Sequence, residues 1–443
     1  MVKYELGMFA RRICSYIFLN GLSHDLAFEL SCPLKLRGAL KFKVDEGKKR
    51  VSVTYRRYTR VAQFCDDQGS VVLPLRAKNI SFTPIKVTSN LPPANTQAWP
   101  MGDSTSVDRN DGIERAIDCA FDDPYALTAA VLVVRNGLII GERYAPGVNK
   151  DSQLESWSMG KSLLATLFAR LVLKGAFTLN QRVPVPAWRN PGDPRGKITI
   201  RNLLQMSSGL KFSAPTSNPK YSSRRGYPQH MHAYTDGINI YDLSRALPLK
   251  SPAPRHKGRY HNCDPWVIGS LIKDYCLNTG EEYLSFPQRE LLDLIGIRQQ
   301  VIETDPFGNL IFTGCDYGTA RNWARLGLLY LQKGFWNGEQ ILPHGWTDFV
   351  SSPAPNWEKK VYGGQFWLNR TGHFPMLPKN TYFAAGGGGQ YTLIMPKHNM
   401  VVVRMGYYPE MTVIDNLGTR PPGGFGSGPS THRMLTALME AIK

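Results

Sequence analysis

Four serines in this sequence, Ser158, Ser208, Ser217 and Ser270, are each followed three residues later by a lysine. On a helix that spacing puts both side chains on one face, a turn apart. A serine hydroxyl is a weak nucleophile until a base takes its proton. A lysine stripped of water can be that base, because burial lowers its pKa from about 10.4. Only Ser158 opens an apolar periodic run, Ser156-Trp157-Ser158-Met159-Gly160-Lys161-Ser162-Leu163-Leu164, which continues to about Gly175. If the run is helical, its first turn also offers open N–H groups and a positive dipole end to an oxyanion. Ser217 lies in a Pro/Asn/Ser loop, and Ser270 follows Trp266, Val267 and Ile268 on what reads as a packing helix. Ser208 precedes Gly209 as at a capping turn. Spacing alone does not choose among the four; position at a helix start favours Ser158.

Two further groups of residues have chemical potential. Gly258-Arg259-Tyr260-His261-Asn262 contains a Y-x-N triplet about 100 residues after Ser158. A tyrosine beside a cationic lysine ionises more easily, and Asn262 could orient the lysine or a substrate amide. The plainer reading is a loop tyrosine before a helix, with Asn262 or Asp264 capping Pro265-Trp266-Val267. In Ala384-Ala385-Gly386-Gly387-Gly388-Gly389-Gln390 the glycines allow close backbone approach and leave N–H groups open, as an oxyanion hole requires. A flexible turn explains them as well. A dinucleotide loop does not, because a strand pattern follows where a helix would be needed. Tyr221 to Tyr241, with Arg224, Arg225, Tyr227, His230, His232 and Tyr234, reads either as a cleft wall or as a solvated loop. Tyr234 and His232 of this segment, with Gly386 and Gly388 of the glycine run, are the candidate substrate contacts.

The elements that must hold these groups can be read coarsely. Ile113 to Phe121 predicts a helix, and Ala129–Val134 with Leu138–Tyr144 predicts a hairpin turning at Asn136-Gly137. Helical patterns dominate from about 158 to 345. Strands return at Gln390–Met395 and Met400–Met405, and a helix begins near Ser430. Strands at both ends with helices between predict an α/β layer carrying a helical insertion. Before it, residues 1 to 88 show β-like runs at Arg50–Tyr55 and Val71–Leu75 and read as a small β-rich extension. The Pro/Asn/Ser/Asp/Gly-rich stretch 89–112 reads as a linker.

The bulk properties narrow the function class. With 443 residues, 42% hydrophobic and 20% charged, the chain can bury a large core without disulfides or metals. Its net charge of +18 is spread over short clusters, Lys48-Lys49-Arg50, Arg56-Arg57 and Arg224-Arg225. No nucleic-acid module surrounds them, so no nucleic-acid partner is expected. The seven cysteines show no CxxC and no His/Cys metal spacing, which argues against a zinc site. Their odd number leaves at least one thiol free, and Cys14 with Cys65 could pair in an exported protein. Arg11-Arg12 before Ile13–Leu19 resembles a basic region ahead of an apolar one, but Asn20 breaks the run and no small-residue cleavage site follows. No stretch reaches the roughly 18 apolar residues of a membrane span. The expectation is a soluble protein, cytoplasmic by default, with export to a periplasm or beyond as the alternative.

In combination the three groups are more specific than any one alone. Ser158-Met159-Gly160-Lys161, Tyr260-His261-Asn262 and the glycine-rich strand entry resemble, in order, the three motifs of class C β-lactamases and penicillin-binding proteins. They also resemble those of the related esterases and aminohexanoate-dimer (nylon-oligomer) hydrolases. Val133–Gly137 with Glu142–Tyr144, Ile198–Leu210 and Thr319–Gly327 are similar to that family too, so the resemblance spans about 113 to 410. It implies an α/β (α+β) fold in which an antiparallel sheet is flanked by helices. A mostly helical domain is inserted within about 160–310, and the site lies in the cleft between. It implies that Ser158 is acylated, that Lys161 and Tyr260 share proton transfer, and that the N–H groups of Ser158 and Gly387 hold the oxyanion. Asn262 takes a supporting amide role, and no metal or organic cofactor is required.

One departure shifts the expected substrate. β-Lactamases and peptidoglycan peptidases place Lys or His with Thr or Ser and Gly in the third motif, where the cation binds a substrate carboxylate. Here those positions are Ala and Gly, in the form A-x-G-x-G-G-Q. The resemblance is therefore nearest to the nylon-oligomer hydrolase and esterase branch, and the expected partner is a small-molecule ester or amide. A β-lactamase, a D-Ala-D-Ala carboxypeptidase or a catalytically silent binding member remain alternatives, and the oligomeric state is open.

Overall fold

Asn136 and Gly137 join two strands of the main sheet, and both have positive φ, 52° and 82°. A two-residue hairpin turn between right-twisted strands requires that geometry. The computed structural model describes residues 2–105, 110–212, 229–250, 257–408 and 428–443. In it the main sheet runs Trp367–Leu368, Tyr382–Gly386, Gln390–Met395, Met400–Gly406, Thr128–Arg135, Leu138–Tyr144, every neighbour antiparallel. The first two strands of the domain thus lie beside its last ones. The described residues between 145 and 366 form an excursion from one sheet.

Helices cover both faces of that sheet, which is why its central strands read as continuous apolar runs. Val131, Val133, Leu393 and Val402 pack with Ile113 and Ile117 of the helix Asp111–Asp118 and with Leu435 and Leu438 of the helix Gly428–Ala441. Ala130, Leu132, Val134, Val401 and Val403 face the opposite core, with Leu163 and Leu167 of the helix Gly160–Leu173 and Ala324 and Leu328 of the helix Ala320–Leu331. Each large apolar side chain buried this way contributes about 1.5–3 kcal/mol. Close approach is needed at Gly327, where a Cβ would stand 2.5 Å from Val401. The α/β architecture with an antiparallel sheet flanked by helices is the one expected from the sequence.

The excursion contains the helices Gly160–Leu173, Ile200–Leu204, Gln229–Thr235, Ile240–Ala246 and Cys263–Thr279. It also contains a small antiparallel sheet in the order Leu154–Glu155, Asp316–Gly318, Val301–Ile302. That small sheet leads straight into the segment carrying Ser158.

The N-terminal region combines the β-strands expected with helices that the sequence reading did not include. It does contain a four-stranded antiparallel sheet, Leu40–Asp45, Arg50–Tyr55, Tyr58–Phe64 and Ser70–Val72. Ahead of it stands a 17-residue helix, Val2–Phe18, with all residues from Glu5 to Ile17 buried. Its Gly7 lies so close to the helix Gln229–Thr235 that a Cβ would be 2.1 Å from the Thr235 carbonyl oxygen. Arg11-Arg12, read as a basic region, are buried and paired with Glu303 and Glu155. All seven cysteines carry free thiols, Cys14 and Cys65 among them; Cys14 Sγ points at the carbonyls of Lys49 and Ala62.

The stretch 89–105 is strapped to the domain surface. Arg298 donates to Pro92 O, Met101 O and Gln97, and Arg325 donates to Pro100 O, Gly102 O and Asp103. Among the described residues no helix is long and apolar enough to cross a membrane.

Candidate active site

The strand Leu154–Glu155 pairs with Tyr317–Gly318, ends at Ser156, and turns through one 3-10 turn, Trp157–Met159, into the helix Gly160–Leu173. Trp157, the residue before the candidate nucleophile, has φ 53°. A left-handed conformation at a bulky non-glycine residue costs about 1–3 kcal/mol and persists only where the surroundings enforce it. They do so here by close packing. A Cβ on Gly386 would lie 2.1 Å from Ser156 O, 2.9 Å from Trp157 Cβ and 3.1 Å from Ser158 N, so only glycine lets the strand Tyr382–Gly386 rest on this turn. From the other side Asp316 accepts a short hydrogen bond from Ser156 Oγ.

Lys161 Nζ lies 2.8 Å from Ser158 Oγ and donates to Thr313 O at 3.2 Å. The Ser158 hydroxyl itself reaches Thr313 O at 3.4 Å. Lys161 is 1% exposed, and burial drives its pKa well below the ordinary lysine value, opposed only by the negative charge of Asp316. Asp316 is in turn pushed up to about 7, mainly by burial. Lys161 Nζ also stands 4.8 Å from the centroid of the Tyr260 ring. The Tyr260 hydroxyl is buried and makes no hydrogen bond among the described residues. Burial raises its pKa above the ordinary phenol value, and the nearby Ser158 hydroxyl pulls it part of the way back. Tyr362 and Trp367 pack on the same ring, with centroids 5.9 and 5.2 Å away.

Asn262 Nδ2 donates to Tyr234 Oη at 2.8 Å. Tyr234 Oη donates in turn to Thr313 O at 2.7 Å. Tyr234 was expected to contact substrate, yet it is 2% exposed, and its hydroxyl is used to link Asn262 to Thr313. His232, the other candidate from that segment, pairs with Asp236, which also receives Arg60. Arg224, Arg225 and Tyr227 lie outside the described residues, and so does Ser217.

Gly387, Gly388 and Gly389 form the turn between Tyr382–Gly386 and Gln390–Met395, with Gly386 opposite Gln390. Gly388 and Gly389 have φ 78° and 75°, and Gly387 is partly open to solvent. Buried Arg404 fixes the turn from behind, donating through Nη1 to Gly388 O at 2.6 Å and Gly389 O at 3.2 Å. Burial lowers its pKa to about 10.

Of the described S-x-x-K serines, only Ser158 is in contact with its lysine. Ser208 bonds Asp264, and Lys273 bonds Asn309 at 2.7 Å while Ser270 bonds back to Val267 O. Three contributors were not found from sequence. Thr313 acts through a backbone carbonyl, which has no sequence signature. Asp316 and Arg404 did leave one, as charged residues inside otherwise apolar segments. His261, Cys263 and Asp264 form a fourth grouping, with donor atoms all within 4.8 Å of one another. Cys263 Sγ is 2.8 Å from His261 Nδ1, and His261 Nε2 is 3.3 Å from Asp264. They form a bonded chain that ends at Ser208, whose hydroxyl donates to Asp264, and this anchors the loop after Tyr260.

A family model for β-lactamase matches residues 113–406, a span that takes in both halves of the main sheet and all three motifs. Solved structures share the fold at low identity. A Bacillus anthracis protein described as a 6-aminohexanoate-dimer hydrolase is 22% identical with a TM-score of 0.52, covering 73% of this chain and 82% of that one. A Bacteroides dorei protein described as a β-lactamase is 17% identical with a TM-score of 0.56, covering 75% and 98%. A family VIII carboxylesterase is 13% identical with a TM-score of 0.55, covering 76% and 99%.

Proposed function

The chain belongs to the β-lactamase family, and from that premise we propose that it is a serine hydrolase cleaving an ester or uncharged amide through an acyl group on Ser158. The observation that carries this reading is the 2.8 Å contact between Lys161 Nζ and Ser158 Oγ at a place where burial favours the neutral amine. A neutral amine at that distance can take the serine proton as Oγ attacks the carbonyl carbon. The backbone N–H groups of Ser158 and Gly387 would receive the oxyanion, in a turn held by Trp157 and Arg404.

The two titratable partners divide the work. Burial pushes Lys161 toward its base form and Tyr260 toward its acid form. Lys161 thus accepts the proton from Ser158, and Tyr260 gives its own to the departing oxygen or nitrogen and is refilled from the Lys161 ammonium beside it. Water then attacks the acyl-enzyme, with the proton moving back through the same pair. Asn262, through Tyr234 and Thr313, keeps the carbonyl that orients Lys161 in place.

The substrate class follows from the third motif. In the glycine-rich run Ala and Gly take the positions from which a cation would bind a substrate carboxylate, and Arg404 is spent on turn carbonyls. Replacing Ser158 by Ala is expected to abolish hydrolysis of p-nitrophenyl butyrate, by at least about 10³-fold, with the thermal midpoint unchanged. Retained turnover would overturn the assignment. Rapid nitrocefin hydrolysis with little ester turnover would move it to β-lactam chemistry.

A further inference from the structure

The helix Val2–Phe18 lies outside the span matched by the family, yet it reaches the residue that sets the nucleophile turn. Arg12 on this helix is buried, and its guanidinium carbon stands 4.6 Å from the centroid of the Trp157 ring. Its Nε donates to Glu155 Oε2 at 3.0 Å, while Nη1 and Nη2 meet no hydrogen-bond partner among the described residues. Arg11 differs: Nε bonds Glu303, Nη1 reaches Ala233 O and Nη2 reaches Thr304 O. Arg11 is an ordinary structural arginine. Arg12 leaves two donors unsatisfied while its guanidinium stands over an indole, a cost that an apolar side chain would avoid.

The indole it covers is the one that matters. Trp157 sits between Ser156 and Ser158 with φ 53°, and its ring meets Tyr234 edge-on at 5.8 Å. A Cβ on Gly387 would be 3.6 Å from its ring, so the same indole packs beside the glycine turn. Cation–π attraction strengthens when both groups are removed from water. The turn bearing Ser158 is therefore held by the glycine strand, by Tyr234 and by Arg12.

We propose that Arg12 is a positioning residue of the acyl-transfer site, clamping Trp157 so that the N–H groups of Ser158 and Gly387 converge on the oxyanion. The inference rests on the serine-hydrolase reading above. Arg12 touches no reacting atom. Its loss therefore lowers kcat, because the misplaced donors are needed most in the transition state, and leaves KM nearly unchanged.

The test uses the full chain with Arg12→Met, Arg12→Met combined with Glu155→Gln, and Arg12→Lys. Three quantities are read: p-nitrophenyl butyrate kinetics, the rate of fluorophosphonate labelling of Ser158, and the thermal midpoint. Both methionine variants are expected to lose about 10–100-fold in kcat and in labelling rate, with KM within about twofold. Adding Glu155→Gln should restore the midpoint lost by Arg12→Met, since it removes the unpaired buried carboxylate, without restoring kcat. Arg12→Lys should recover part of the rate by returning a cation to the indole face. If the double variant regains kcat together with stability, Arg12 is only the counter-ion of Glu155 and the proposal falls. Should the methionine variants fail to fold, Arg12→Gln, which keeps an N–H for Glu155 but no cation for the indole, takes their place, and wild-type kcat in it overturns the proposal equally. Wild-type protein that takes no label at Ser158 removes the serine-hydrolase reading, and this inference with it. A labelled wild type with unaffected variants removes this inference alone.

Discussion

Ser158–Lys161 and Ser270–Lys273 have the same spacing at or within a helix, and in the folded chain they behave as opposites. Lys161 turns onto its own serine at 2.8 Å, inside a site where it is almost completely removed from water. Lys273 reaches outward to Asn309 and Phe307 O, and Ser270 donates to the carbonyl three residues back while accepting from Arg245. Lys161 has one carboxylate acting on it, Asp316. Burial lowers the pKa of Lys273 as well, but three carboxylates, Asp305, Asp242 and Asp274, oppose it there. The S-x-x-K pattern is thus only a helical coincidence until the fold supplies a dry pocket, a carbonyl to orient the amine and a strained turn to present the hydroxyl.

The comparison can be broken most directly at the lysines. Lys161→Ala should lower kcat/KM for p-nitrophenyl butyrate by about 10³–10⁴-fold, the scale expected for loss of a general base beside its nucleophile. Lys273→Ala should leave it within about twofold. Equal losses in the two variants would mean that the contact at Ser158 is not a catalytic one.

A smaller effect is expected at Tyr260, the second proton carrier of the proposal. Tyr260→Phe keeps the ring beneath Lys161 and removes only the hydroxyl, so kcat should fall by about 10²–10³-fold while a fluorophosphonate still labels Ser158. Labelling that fails along with turnover would place Tyr260 in activation of the nucleophile instead of protonation of the leaving group.

The smallest effect is a displacement of the pH profile. Lys161 must be neutral to act as base, so kcat/KM rises with pH through its depressed pKa. Asp316 favours the ammonium form and holds that pKa up. Asp316→Asn should therefore move the acid limb to lower pH. It should also remove the proton uptake near pH 7 that belongs to Asp316 itself. A limb that stays in place, or moves upward, would show that Asp316 does not act on Lys161.

What the sequence revealed follows the same division. The hairpin at Asn136-Gly137 and the strands Gln390–Met395 and Met400–Gly406 were legible because turn chemistry and apolar runs are local properties. The helix Val2–Phe18 was not, because burial on every side removes the polar stripe by which a surface helix announces itself. Tyr234 was noticed for its type, but its position between Asn262 and Thr313 depends on contacts between distant segments. The Thr313 carbonyl, which receives Lys161, Ser158 and Tyr234, could not be read from any side chain.

The central claim concerns one oxygen atom, and covalent trapping tests it most directly. The protein is treated with a fluorophosphonate, digested, and the modified residue located by mass spectrometry, with Ser158→Ala and Ser270→Ala treated in parallel. The account predicts a single adduct on Ser158, lost in Ser158→Ala and undiminished in Ser270→Ala. An adduct on any other residue, or none on the wild-type chain, would contradict it.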